Sequence, residues 1–203
     1  MKSLLFDLDG TIIDSRESVA MSIQAAINDL YGNYDLKLNI NLTGQTLKEI
    51  SDQFSLIYPN FSHNHFTALF KKYYDNRYCT DATLYDGALT MIKSLVGHHK
   101  LLVVTNKRSI PTQKILKYNS IVDCFEAVYC IDSFSTINNK GQLLKLVKSS
   151  LECTEILGYI GDTESDLNAC VSNNIKFYHA SWGYEPELSH VTSFASPYHV
   201  KFS

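Results

Sequence analysis

The sequence predicts an α/β fold, a doubly wound parallel sheet with an inserted helical cap. Three observations predict it. Short apolar runs recur along the chain, and three of them end in polar or charged residues suited to binding. Helical patterns fall between those runs from about residue 86 onward, the alternation expected of parallel strands joined by crossovers. Residues 15–80, in contrast, carry helical periodicity without an obvious parallel strand.

The first run, Leu4-Leu5-Phe6, reads as a short buried strand and leads into Asp7-Leu8-Asp9-Gly10-Thr11. Side chains alternate along an extended backbone, so Asp7 and Asp9 project to one side. Two carboxylates held that close repel each other unless a cation or a proton intervenes, and a divalent metal is the natural partner. Gly10 lets the backbone turn and approach a ligand, and Thr11 offers a hydroxyl and an amide there. Taken alone, the pentapeptide is better explained as a strand followed by an Asx turn, and the metal reading depends on support from elsewhere in the chain.

In the next segment Val19, Ile23, Ala26, Ile27 and Leu30 recur at helical spacing. Phe54 with Ile57, then Phe66, Phe70, Tyr73 and Tyr74, supply further apolar faces. Thr43-Gly44-Gln45-Thr46 between them reads either as a ligand-facing loop or as a helix start, with Thr46 as N-cap and Glu49 at the capping-box position. His63 and His65 form an H-x-H pair in an Asn-containing stretch without an evident metal-binding partner, and read as surface loop residues. Asp86-Gly87 marks a turn, and Ala88, Leu89, Ile92, Leu95 and Val96 form the helix face that follows.

Leu101-Leu102-Val103-Val104-Thr105-Asn106-Lys107 is a hydrophobic strand ending in a hydroxyl, an amide and a cation, an ending that suits an anion. A strand near 126–130 comes next. Lys140 then precedes a helix carrying Leu143, Leu144, Leu146 and Val147. The run Ile156-Leu157-Gly158-Tyr159-Ile160 reads as a parallel strand ending in Gly161-Asp162-Thr163-Glu164-Ser165-Asp166, with Ser165 or Asp166 placed to start a helix through Asn168. A helix cap explains one of these acids and leaves the other over. A last strand is expected near 175–178, and the tail from Trp182, with Pro186 and Pro197, could cover the sheet edge. Ligands of open parallel sheets gather at the carboxyl ends of the strands, so the acids, the Thr-Asn pair and the second acids can converge on one crevice. Acids at that crevice imply Mg²⁺, an oxygen-loving ion that shares its shell with water and phosphate oxygens.

Composition fits this reading. A chain of 203 residues with 45% hydrophobic content can fill one large domain or a core with a smaller partner. The net charge of −3, with no long basic run, lacks the electrostatic footprint of a nucleic-acid binder. Met1-Lys2-Ser3 enters the first strand directly, without a long apolar segment or cleavage signal, so neither secretion nor a membrane span is expected. Cys79, Cys124, Cys130, Cys153 and Cys170 are odd in number and form no C-x-x-C pair, which favours reduced, mostly buried thiols and a cytoplasmic location.

Together these residues resemble the haloacid dehalogenase superfamily of phosphohydrolases, in the branch of phosphoglycolate phosphatase and β-phosphoglucomutase. Asp7 to Thr11 match its first motif, Thr105 its second, Lys140 its third, and Asp162 with Asp166 its fourth. The resemblance covers nearly the whole chain. Relatives usually carry Lys-Pro at the third motif where Gly141 follows here; Lys145 and Lys148 lie nearby, and Lys140 has the expected spacing to Asp162. Trp182-Gly183-Tyr184 also resembles a family loop near the site. The resemblance implies a core of residues 1–14 and 81–203 with a cap of residues 15–80.

It further implies a Mg²⁺-dependent phosphatase acting on a small phosphorylated metabolite, with Asp7 as nucleophile and Asp9 as general acid and base. Thr105 and Lys140 would hold phosphoryl oxygens, and Lys140 could also orient Asp7. The metal would be held by Asp7, the Asp9 main-chain carbonyl and Asp162, with Asp166 orienting its shell. Leu8, Gly10, Thr11, Asn106 and Lys107 would line the substrate. Lys107 and Arg108 could reach a second acidic group on that substrate, or lie on a solvated turn. A phosphosugar mutase using the same Asp7 chemistry is one alternative, and a non-catalytic phosphoryl receiver or metabolite-binding module is another. A dehalogenase needs neither Asp9 nor Mg²⁺ and fits less well.

Overall fold

A computed structural model describes residues 1–32, 47–58, 60–151 and 155–202, and the chain divides into two compact units, Met1–Asp14 with Thr83–Ser203 and Ser15–Ala82. The larger unit is built on a six-stranded sheet. Its strands, with the short elements between them, are β1 (Ser3–Phe6), β2 (Ile13–Asp14), β3 (Thr83–Leu84), β4 (Lys100–Thr105), β5 (Ala127–Cys130), β6 (Ile156–Gly161), β7 (Phe177–Ala180) and β8 (Thr192–Phe194). The large sheet runs in the order β5-β4-β1-β6-β7-β8, and every pairing is parallel. β2 and β3 form a separate antiparallel ribbon where the chain leaves this unit and returns to it.

The strands are apolar on both faces, as a sheet covered on both sides requires. Leu5, Leu102, Val104 and Tyr159 point into a core shared with Leu143, Leu144, Val147, Ala169 and Cys170. These last residues belong to the helices Lys140–Ser150 and Glu164–Val171. Leu4, Phe6, Leu101 and Val103 alternate to the other face, where Phe6 meets Phe125 edge-on at 6.3 Å. The chain moves outward from β1 to β4 and β5 on one side and to β6, β7 and β8 on the other. The strand order therefore reverses beside β1, the place where such sheets open a crevice.

The helices, in chain order, are α1 (Arg16–Tyr31), α2 (Leu47–Ile57), α3 (His63–Tyr73), α4 (Ala88–Leu95), α5 (Ser109–Tyr118), α6 (Lys140–Ser150) and α7 (Glu164–Val171). The first three make up most of the smaller unit. Ile23, Ala26 and Ile27 of α1, Phe54 of α2 and Phe66 and Phe70 of α3 are buried, and Tyr31, Phe54, Tyr58, Phe61 and Phe66 form a continuous aromatic cluster. Ile57, expected on an apolar face, is 58% exposed.

The structure departs from the sequence reading at several further points. His63 and His65 begin α3 rather than lie in a loop; the Ser62 hydroxyl caps the helix by accepting the His65 amide. His63 also contacts Ser51 and Asp52. The tail extends the sheet edge with β8, and then packs Phe202 edge-on against Tyr178, Phe194 and His99. Gly87, at φ 81°, precedes α4 as the turn signal predicts, and the Tyr198 ring occupies the space a Cβ would need there. Cys79, Cys130 and Cys170 are buried, Cys124 is half-buried, and none of the four is in a disulfide. Cys153 and the segment Thr43–Thr46 lie outside the described residues.

Candidate functional site

Three adjacent strand ends build the site. Asp7 follows β1, and its amide donates to the Ile160 carbonyl of β6 at 2.9 Å. Thr105 is the last residue of β4 and Asp162 the first after β6. Lys140 opens α6, whose first turn is capped by Asn139 accepting from the Gln142 amide. Asp166 lies in the first turn of α7. That helix starts at Glu164 rather than at Ser165 or Asp166, because Thr163 is its N-cap and shares a reciprocal capping box with Asp166.

Asp7, Asp162 and Asp166 are buried together, with ligand oxygens all within 4.8 Å of one another. Lys140, itself buried, joins two of them; its ammonium lies 2.7 Å from Asp7 Oδ2 and also donates to Asp166 Oδ1. Lys145 and Lys148 are exposed, so the structure brings only the first of these three lysines among the acids. One ammonium does not balance three carboxylates. Burial, with repulsion from Asp166 and Asp9, raises the Asp7 pKa to about 6 despite Lys140. Asp162 is pushed up to about 8, chiefly by burial and the Asp7 charge, against the Tyr184 amide that donates to it. Burial works against charge on Lys140, but Asp166 and Asp7 outweigh it and hold the ammonium above its ordinary range.

Asp9 lies apart from this cluster. Its carboxylate is held by Lys107, whose ammonium reaches both oxygens at 2.7 and 3.0 Å. The cation beside Asp9 is thus a lysine, and Lys107 does not sit on a solvated turn. Thr105 is buried and its Oγ1 accepts the Lys107 amide at 3.1 Å, while Asn106 is exposed. The Leu8 amide donates to Asp7 Oδ1 at 2.8 Å. Gly10 takes φ 76°, and a Cβ there would run into the Asp162 carboxylate. Thr11 donates to Asp162 Oδ1 at 3.4 Å.

The sequence reading left Trp182-Gly183-Tyr184 without a role. The Tyr184 amide donates to Asp162 Oδ2 at 2.8 Å, and the Trp182 indole N–H donates to the Thr11 carbonyl at 2.9 Å. Gly183 passes so close that a Cβ would meet both the Asp162 side chain and the Gly10 carbonyl. This loop therefore ties the turn after β1 to the acid after β6. Glu185 continues the tie by accepting the Glu164 amide at the start of α7. The legible signal was the small residue between two aromatics; the contacts themselves run through backbone. Tyr159, which the sequence pattern marks only as part of a strand, also belongs to the site. Its hydroxyl donates to the Val104 carbonyl at 2.9 Å and approaches Asp166, and its ring lies 5.6 Å from the Lys140 ammonium.

The donor set suits a hard divalent cation. All three clustered ligands are carboxylates, with no thiolate or imidazole in the cluster among the described residues, which favours a hard, oxygen-loving cation over zinc or copper. Burial, with mutual repulsion added, keeps two of them raised, and a bound cation would favour their charged forms. Asp166 spends Oδ1 on Lys140 and Oδ2 on the Thr163 amide and hydroxyl, so it suits an orienting position better than a primary ligand.

Residues 4–180 match the model of a family described as haloacid dehalogenase-like hydrolase. A 5′-nucleotidase of Pseudomonas aeruginosa is 28% identical over 193 residues, covering 91% of this chain and 85% of that protein. A phosphoglycolate phosphatase of Aquifex aeolicus is 26% identical over 211 residues, covering 96% and 91%. Among solved structures, a haloacid dehalogenase-like family hydrolase from Streptococcus pneumoniae superposes with a TM-score of 0.79 at 18% identity, covering 98% of this chain and 95% of that one.

Proposed function

The chain belongs to the haloacid dehalogenase-like hydrolase family, and from that premise we propose that it is a Mg²⁺-dependent phosphatase of small phosphate monoesters working through an aspartyl phosphate. The observation that carries the reading is the buried cluster at the sheet's switch point, where Asp7 meets Lys140, Asp162 and Asp166.

Asp7 attacks phosphorus, forming a carboxylate oxygen–phosphorus bond as the ester oxygen–phosphorus bond breaks. Asp9 gives its proton to the departing alkoxide. It then takes a proton from the water that attacks the aspartyl phosphate, which frees inorganic phosphate and restores Asp7. Thr105, Lys140 and the amides of Leu8 and Asn106 donate to the phosphoryl oxygens, so charge developing in the transfer meets fixed donors. Lys140 also fixes the Asp7 carboxylate. Gly10 and Thr11 shape the turn that carries Leu8. Asp7, Asp162 and the Asp9 carbonyl would hold Mg²⁺, with Asp166 orienting its shell. When bound, the ion offsets repulsion between nucleophile and phosphate.

The helical unit Ser15–Ala82 is proposed as the cap that selects the leaving group. Phosphoglycolate, named in one of the relatives, is the first substrate to try. Free cysteines support a reducing, cytoplasmic setting, and no described helix is long and apolar enough to cross a membrane.

The test is phosphate release from a panel of small esters, with Mg²⁺ and with a chelator. Metal-dependent release supports the reading. Interconversion of phosphosugars without release would favour a mutase, and a single retained phosphoryl group would favour a receiver.

Metal and pH are linked at this site. Asp7 and Asp162 have folded-state pKa values of about 6 and about 8, above the ordinary carboxylate value near 4. The metal-free fold therefore binds more protons than the unfolded chain between about pH 4 and pH 8, and loses stability as pH rises through that window. Asp7 and Asp162 would have to give up those protons to hold Mg²⁺. Its stabilising effect on Tm is accordingly expected to be larger at pH 8 than at pH 5; an equal shift at both would count against these acids as the ligands.

A further inference from the structure

Lys107 makes two contacts of different kinds from one position. Its backbone N–H donates to Thr105 Oγ1, and its ammonium grips both oxygens of Asp9 from 98 positions along the chain. The ion pair is shielded, with the Lys107 side chain 9% exposed and that of Asp9 23% exposed. A hydroxyl whose oxygen already accepts an amide still has its own proton to give, so the first contact sets Thr105 as a donor. The second grips both oxygens of a short carboxylate on the turn after β1. An ammonium offers three donors, and at least two are spent on Asp9.

We infer that Lys107 is a positioning residue, fixing the Asp9 carboxyl and the Thr105 hydroxyl in one geometry, rather than a contact for a second anionic group on the substrate. The inference rests on the proposed phosphatase chemistry, in which Asp9 protonates the leaving alkoxide. Its consequence depends on the leaving group. An alkoxide needs the proton as its bond to phosphorus breaks, whereas nitrophenolate departs without one. Losing the ammonium but keeping the backbone N–H should therefore lower kcat/KM on the first kind of substrate alone, because kcat/KM ends at loss of the leaving group and excludes the later water step that also uses Asp9.

The experiment compares kcat/KM of the native protein, Lys107→Met and Lys107→Arg on p-nitrophenyl phosphate, glycerol 2-phosphate and phosphoglycolate at saturating Mg²⁺. For Lys107→Met a loss of about a hundredfold is expected on both alkyl esters, the order of a general-acid contribution. Nitrophenyl phosphate should stay near native. Lys107→Arg should recover most of the loss, because its fork can grip a carboxylate through two oxygens. A loss confined to phosphoglycolate would make Lys107 a substrate contact and overturn the inference. An equal loss on all three esters would overturn it in favour of a general structural role, and no loss on any would leave Lys107 idle. Inactivity of the native protein on every ester would remove the phosphatase reading itself, a failure distinct from these.

Discussion

Replacing Asp7 by Asn is expected to abolish turnover, by on the order of 10⁴-fold or more, while leaving the fold intact. The amide cannot attack phosphorus, so no aspartyl ester forms and the residual rate comes only from binding and alignment. The fold survives for an electrostatic reason. Asp7 is one of three clustered buried acids, two of which share the Lys140 ammonium, and burial with repulsion already keeps its carboxyl raised. Removing that charge relieves Asp162 and leaves Lys140 paired with Asp166. The metal-free variant should melt no lower than the native protein. Turnover within tenfold of native would remove Asp7 as nucleophile, and a collapsed melting temperature would show that the charge balance has been misread.

Lys140→Met should do the opposite and damage both folding and catalysis. It deletes the ammonium beside Asp7 and Asp166, and stripping one partner from a buried ion pair costs about 3–5 kcal/mol. The acids can answer by taking up protons, so the loss of stability should be smaller at pH 5 than at pH 8, with Mg²⁺ restoring part of it. Activity should stay low even where Mg²⁺ restores the fold, because a phosphoryl donor has gone. Lys145→Met, at an exposed position of the same helix, is the control and should change stability by less than about 0.5 kcal/mol. Native-like melting and kinetics for Lys140→Met would move the third motif elsewhere.

The parts of the site legible in the sequence share one property: their chemistry is announced by a side chain at the end of an apolar run. Asp7, Thr105 and Asp162 each close a buried strand, and Lys140 opens a helix with a clear apolar face. The sheet was legible for the same reason, since strands covered on both faces leave uninterrupted hydrophobic segments. β8 was not, because three residues of an edge strand carry too little pattern to register.

What the sequence hid depends on long-range pairing or on backbone. Nothing local to Asp9 says that Lys107 will hold it. The tie between Asp162 and the Trp182–Tyr184 loop is made by an amide, an indole and a missing Cβ. Such partners leave no residue-type signature beyond the glycine itself. Thr163 with Asp166 was closer to legible, because a hydroxyl followed three residues later by an acid is a capping-box signal.

If the phosphoryl group passes through Asp7, it can be trapped there. The protein is mixed with a substrate that it cleaves, quenched in acid within a turnover, and reduced with borohydride, which converts an acyl phosphate to the alcohol. Homoserine is expected at position 7, found by peptide mass spectrometry only when substrate and Mg²⁺ were both present. Phosphate release with position 7 unmodified, or homoserine formed at another acid, would contradict it.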